Sequence, residues 1–344
     1  MVALGSALLF GLSTPVAKIL VGTVPPLMLA GLLYTGSGAG LIVLLLGRRL
    51  SAPRGSSMGL PRRREWLWLA GAIFFGGIAG PVALMYGLAA SAASTVSLLL
   101  NLESVLTALL AWFLFHENFD RRVMLGMVAI VAGGLLLVWT PGEFGQVSLG
   151  LILVAVACLC WAIDNNLTRK VSAGDPVLIA GVKGLVAGSV NLGLALLIGQ
   201  TLPPPGILIL SMAVGFVGYG ISLVLFILAL RNLGAARAGA YFAVAPFFGT
   251  ALAVSLQGDA VTLQLVAAGL LMAAGVWLHL TERHVHAHTH EPVVHEHSHV
   301  HDEHHRHEHA ANVSIREAHT HVHEHKRLRH AHPHYPDIHH RHEH

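Results

Sequence analysis

Hydrophobic positions in this chain fall into ten long runs, at about residues 2–21, 26–47, 66–89, 93–115, 123–140, 149–168, 176–198, 207–230, 236–256 and 260–280. A helix rises about 1.5 Å per residue, so a run of roughly 20 residues matches the ~30 Å hydrocarbon layer of a bilayer. The pattern therefore predicts ten membrane-spanning helices. Strong breakers separate several of them: Pro25-Pro26, Pro141-Gly142, Pro203-Pro204-Pro205-Gly206 and Gly258-Asp259.

The basic residues test this count independently. Arg48, Arg49, Arg54, Arg62, Arg63 and Arg64 follow the second run, Arg121 and Arg122 the fourth, Arg169 and Lys170 end the sixth, and Arg231 and Arg237 flank the turn after the eighth. The loops after runs one, three, five, seven and nine contain no Lys or Arg. Positive charge is retained on the cytoplasmic side, so the alternation predicts both termini inside an inner (plasma) membrane and an even number of crossings. Trp66 and Trp68 sit where an interfacial anchor is expected.

Composition agrees. Of 344 residues, 54% are hydrophobic and 11% charged, and the mean hydropathy is +0.64, far from a soluble globular balance. Cys158 and Cys160 lie two apart in an apolar run and read as small core residues, with neither a disulfide framework nor a zinc site. No cleavable leader is expected, because the first run starts almost at Met1 without a basic segment before it. No phosphate-binding loop, nucleophile elbow or HExxH sequence occurs, so an enzyme is not expected and transport would draw on a gradient.

Polar groups inside the runs form the functional shortlist. Glu103 lies near the middle of the fourth, where an acidic residue costs about +2.5 to +3.5 kcal/mol. Such a group persists when it faces a polar cavity or a partner. It is expected to line a transport path as a proton-titrating or substrate-binding carboxylate, or else to form a static buried pair. Asn101, two residues earlier, projects from a different side of a helix, so only one of the two can face the pore squarely. Lys183 could pair with Glu103, bind a substrate carboxylate, or snorkel to the interface. Lys18 is expected to snorkel. Asp164, Asn165 and Asn166, within a turn of Arg169 and Lys170, suit a cytoplasmic gate or a local salt bridge. Tyr34, Tyr86, Trp161, Tyr219 and Tyr241 could wall a pocket or simply pack. Gly80-Pro81 and Ala245-Pro246 interrupt backbone bonding and are candidate hinges.

The halves of the chain resemble each other. Phe10 to Pro15 parallels Trp161 to Asn166, and Glu117 and Gly133 parallel Asp259 and Gly275. Five crossings per copy is odd, so the second copy is expected to be inverted. The segment from Leu98 to Val138, with its echo from Gly239 to Trp277, resembles the EamA type of the drug/metabolite transporter superfamily. That resemblance implies ten helices, cytoplasmic termini, and export or exchange of small polar metabolites such as amino acids or drugs. It covers residues 1–140 and 149–280 as two five-helix units. One departure stands out: the proline of the fourth helix is Pro246 in the second copy and Ser104 in the first.

After Leu280 the composition changes. His284 to His344 holds a dense series of histidines, including His284, His286, His288, His290, His295, His297, His299 and His301. With few apolar residues, 281–344 is expected to be a disordered cytoplasmic tail able to bind zinc, nickel, cobalt or copper. The sequence thus predicts an all-α polytopic protein of two inverted five-helix repeats with a His-rich tail. Its expected partners are a small-molecule substrate, the bilayer and divalent metal ions, with a homodimer left open and no nucleic acid. The expected function is secondary transport without a required cofactor. The alternatives are divalent-metal transport using the tail, or a membrane metal sensor or scaffold.

Overall fold

A computed structural model of the chain describes residues 1–51, 65–115, 121–139, 148–172 and 174–281, and the tail segments 285–290, 294–299, 319–324 and 328–333. The chain divides into two units, Met1–Glu282 and Arg283–His344.

The first unit is helical. Its elements are α1 (Val2–Val21), α2 (Pro26–Ser51), α3 (Glu65–Ala72), α4 (Gly80–Ala90), α5 (Ala93–Leu99), α6 (Leu102–Phe115), α7 (Arg121–Val138), α8 (Leu149–Val171), α9 (Pro176–Leu197), α10 (Pro205–Val214), α11 (Ser222–Phe242), α12 (Ala245–Gln257) and α13 (Leu263–Leu280). Among the described residues these make ten helices long and apolar enough to cross a membrane. A π-helical segment, Ile73–Ala79, joins α3 to α4, and a second, Gly215–Ile221, joins α10 to α11.

Local chemistry explains several boundaries. Asp175 caps α9, its carboxylate accepting from Val177 N at 2.8 Å and Leu178 N at 3.2 Å, with Pro176 in the first turn. Thr262 caps α13 by accepting from Leu265 N at 3.1 Å. Gly258 ends α12 with φ of 66°, a left-handed conformation that glycine adopts without steric cost. Although α11 is helical to Phe242, the Phe226 and Phe242 rings lie 4.8 Å apart between centroids. A straight helix would separate them by about 24 Å. The chain therefore folds back between them, at the turn the basic residues mark.

The fourth span is not the continuous helix its apolar run suggests. It breaks at Leu100-Asn101, where Asn101 N donates to Leu98 O at 3.0 Å and Glu103 N to Leu100 O at 3.1 Å, the tight spacing of a 3₁₀ turn. The ninth span breaks in the same manner at Ala243-Val244, with Val244 N bonded to Tyr241 O at 3.3 Å. Only the second break has a proline, Pro246, in the turn that follows.

Packing joins the two halves of the sequence throughout: α2 lies on α9, α7 on α13, α4 on α8, α1 on α11 and α12, and α5 on α12. Small residues allow this. A Cβ added at Gly184 of α9 would stand 2.5 Å from Gly38 N of α2, so those backbones are in contact. Gly133 and Gly275, matched between the copies in the sequence, both lie in the α7–α13 contact. Leu125, Val128 and Leu135 of α7 and Leu270 and Trp277 of α13 are exposed, as side chains facing acyl chains would be.

In the tail, Val285–His290 pairs antiparallel with Leu328–Pro333, and Val294–His299 with His319–Glu324. The expectation of no regular structure does not describe these segments. Their residues alternate with period two, as in Val285-His286-Ala287-His288, and that is the strand period.

Candidate functional site

The third span shows how the site is built. At its π-helical segment, Gly80 N donates to Phe75 O, five residues back. Continuing that register would assign Gly76 O to residue 81, but Pro81 has no N–H to give. Two side chains supply the missing donor: Tyr34 OH at 2.6 Å and Trp161 Nε1 at 3.0 Å both donate to Gly76 O. Asn191 Nδ2 donates to the neighbouring Gly77 O at 3.1 Å. The proline thus creates acceptors that draw α2, α8 and α9 together around one point, where water is scarce and an unpaired carbonyl is costly.

Beside that point lies a cavity of about 60 Å³. Phe10 of α1, Tyr34 of α2 and Glu103 of α6 line it from the first half, and Trp161, Asp164, Lys183, Tyr219, Phe226 and Phe242 from the second. The rings form a continuous series. Phe10 meets Trp161 and Tyr219 edge-on at 5.5 and 5.7 Å and Phe242 in a tilted contact at 5.3 Å, and Tyr34 meets Tyr219, also tilted, at 5.6 Å. The Tyr219 hydroxyl, beside Ser13, makes no hydrogen bond of normal geometry among the described residues.

Three charged side chains reach this cavity. Lys183, only 1% exposed, donates to Asp164 Oδ1 at 2.5 Å, Asp164 Oδ2 at 2.8 Å and Thr168 Oγ1 at 3.0 Å. An ammonium has three protons, and these three acceptors take them all. Thr168 in turn donates to Asp164 Oδ1 at 2.8 Å. Glu103, at the start of α6, accepts from Asn165 Nδ2 at 2.8 Å, and Asn165 also reaches Thr107 Oγ1 at 3.3 Å. Helix N-termini favour negative charge, so the break in the fourth span gives Glu103 support that a mid-helix position would lack.

The structure brings two of the sequence candidates together, and of the readings for Asp164 the geometry shows a salt bridge, with Lys183 as the partner and not Arg169 or Lys170. Lys183 neither snorkels nor pairs with Glu103; it is bound to Asp164, one turn before Thr168. Asp164, on α8, is held by that lysine of α9. Asn166 is likewise used within the bundle, donating to Ala162 O at 2.9 Å and Thr107 O at 3.2 Å.

Other candidates lie elsewhere. Asn101 turns away from Glu103 and contacts Met272 Sδ at 3.8 Å, and its side-chain Oδ1 has no hydrogen bond among the described residues. Tyr86, 40% exposed, and Tyr241, 37% exposed, do not line the cavity. Lys18 donates to Leu88 O at 2.5 Å, tying α1 to α4. The sequence reading missed Phe10, Phe226, Phe242, Thr107 and Thr168. The parallel of Phe10 with Trp161 carried a signal, since those two rings touch.

Among the described residues no three His, Cys, Asp or Glu side chains converge as a metal site. His284 and His301 lie outside the described residues, as do the side chains of His286, His288, His290, His295, His297 and His299.

Comparison with known proteins adds a family. The model of the EamA-like transporter family matches residues 1–139 and again 148–281. A protein of Methanothermobacter thermautotrophicus described as an uncharacterized transporter is 28% identical over 286 residues, covering 79% of this chain and 83% of that protein. One solved crystal structure superposes with a TM-score of 0.62 at 21% identity, covering 80% of this chain and 94% of the other, a likeness of fold.

Proposed function

We propose that this chain, which belongs to the EamA-like transporter family, carries small solutes across the plasma membrane by alternating access around the cavity between Glu103 and the Lys183–Asp164 pair. It is a multi-pass membrane protein, and its family transports small solutes. The observation that carries the proposal is an aromatic-walled cavity lined by both family units, in which Glu103, Asp164 and Lys183 are buried side chains of membrane-length helices. Charges within such helices are retained where water or cargo reaches them.

The two units are read as inverted repeats that rock against each other, with the solute exported or exchanged down a gradient. Contact between Phe10 and Trp161, residues that the internal repeat makes equivalent, supports an axis near the cavity. The cavity volume of about 60 Å³ is small beside the ~300–1,000 Å³ of a drug-sized site, so the cavity would have to widen to admit a solute of that size. Arginines at alternate loops support cytoplasmic termini. Divalent-metal transport fits the cavity less well, because Asp164 is occupied by Lys183 and Glu103 alone is too few ligands.

Side-specific thiol labelling tests alternating access. In a chain whose Cys158 and Cys160 are changed to Ala, Ser222→Cys on the cavity wall should react from one face at rest and from the opposite face when transported solute biases the equilibrium. Labelling from one face only, whatever solute is present and in a protein shown to transport, would overturn the mechanism.

A further inference from the structure

We infer that the solute site is built for a small organic cation, a quaternary ammonium or protonated amine, held by Glu103 and the surrounding rings. The inference rests on the transport reading above and concerns which charge the cavity accepts. Lys183 is the cation lining the cavity, and its three donors already go to Asp164 and Thr168. A solute carboxylate arriving there would have to displace Asp164 from a bidentate contact. Asp164 is compensated by the same contact, so the pair offers incoming solute neither sign of charge.

Glu103 differs. Among the described residues its carboxylate takes one hydrogen bond, from the neutral Asn165 amide, and no Lys, Arg or His pairs with it. With Glu103 ionised, the net charge facing the cavity is a single negative one. Around it stand Phe10, Trp161, Tyr219, Phe242 and Tyr34, linked ring to ring at centroid spacings from 5.3 to 5.7 Å. Ring faces are electron-rich and attract a desolvated cation, most strongly when no water competes. An anion would meet the same faces with repulsion. The head group favoured by this arrangement has diffuse positive charge and little demand for hydrogen bonds, as a trimethylammonium group does.

Choline, betaine and the neutral isostere of choline with carbon in place of nitrogen separate the alternatives, because all three present the same trimethyl shape. The purified full chain is reconstituted in proteoliposomes for uptake, and binding is followed by thermal shift in detergent. Choline should be taken up and should raise the unfolding midpoint, with betaine and the neutral isostere at least tenfold weaker in both readouts. Glu103→Gln should lose at least tenfold of choline uptake. Phe242→Leu provides a second variant, expected to weaken choline several-fold, should Glu103→Gln fail to fold. Betaine or glutamate moved at least as well as choline would overturn the cation assignment and leave the transport reading standing. Choline binding without flux of any solute would support the cation site and remove the transport reading. Neither binding nor uptake of choline by folded protein would overturn the inference.

Discussion

Lys183 Nζ lies 2.5 and 2.8 Å from the two carboxylate oxygens of Asp164, with both side chains inside the bundle, so the lysine of α9 is neutralised by a carboxylate of α8, two helices that both pack on the π-helical segment Ile73–Ala79. Burying such a pair is costly for each ion, and breaking it by removing one partner leaves a buried charge uncompensated. Lys183→Met should therefore destabilise the protein by about 3–5 kcal/mol. The double variant Asp164→Asn/Lys183→Met should recover much of that loss. Thermal unfolding in detergent, set out as a double-mutant cycle, checks this; a double variant as unstable as the sum of the singles would show that the two residues do not depend on each other.

Two donors on Gly76 O make a second cycle. Tyr34→Phe or Trp161→Phe each leaves the other donor in place, and each should cost about 1 kcal/mol. Together they leave a buried carbonyl unpaired, so the double variant should lose more than the sum. The same unfolding measurement decides it, with additive losses as the contrary result.

Space, rather than bonding, decides a third case. A methyl group at Gly76 would collide with the Asp164 carboxylate, whereas at Gly193 it would meet nothing within 4 Å. Gly76→Ala should push apart the Lys183–Asp164 pair and reduce transport at least tenfold. Gly193→Ala should leave transport intact and raise stability by about 0.5–1 kcal/mol, because alanine favours a helix interior. Flux and unfolding midpoints measured on both variants test the contrast.

The tail offers a separable test. Removing residues 284–344 should abolish most binding of nickel or zinc by the purified protein, since imidazole is a good ligand for both. Solute flux into proteoliposomes should remain within about twofold, because the cavity belongs wholly to Met1–Glu282. Loss of flux on truncation would restore the metal-linked alternatives. A metal isotherm and a flux assay on the same preparations give both answers.

The sequence alone determined the ten crossings, because a bilayer imposes one length and one polarity on every span, and a single pattern of loop charge then follows. It also marked Glu103, Asp164 and Lys183, since charge at that depth is expensive wherever it occurs. Pro81 pointed to a local break for the same kind of reason, a missing N–H being a property of the residue itself. Which charges meet was decided only by the tertiary structure. Asp164 and Lys183 belong to different helices, and their pairing depends on how α8 and α9 are each set against the π-helical segment Ile73–Ala79. The break at Leu100-Asn101 was hidden likewise, because no proline marks it and the contacts that accommodate it come from Cys158 and Met272, far along the chain. The phenylalanines of the cavity were indistinguishable in sequence from those facing lipid, since both environments are apolar and only packing tells a wall from an outer face.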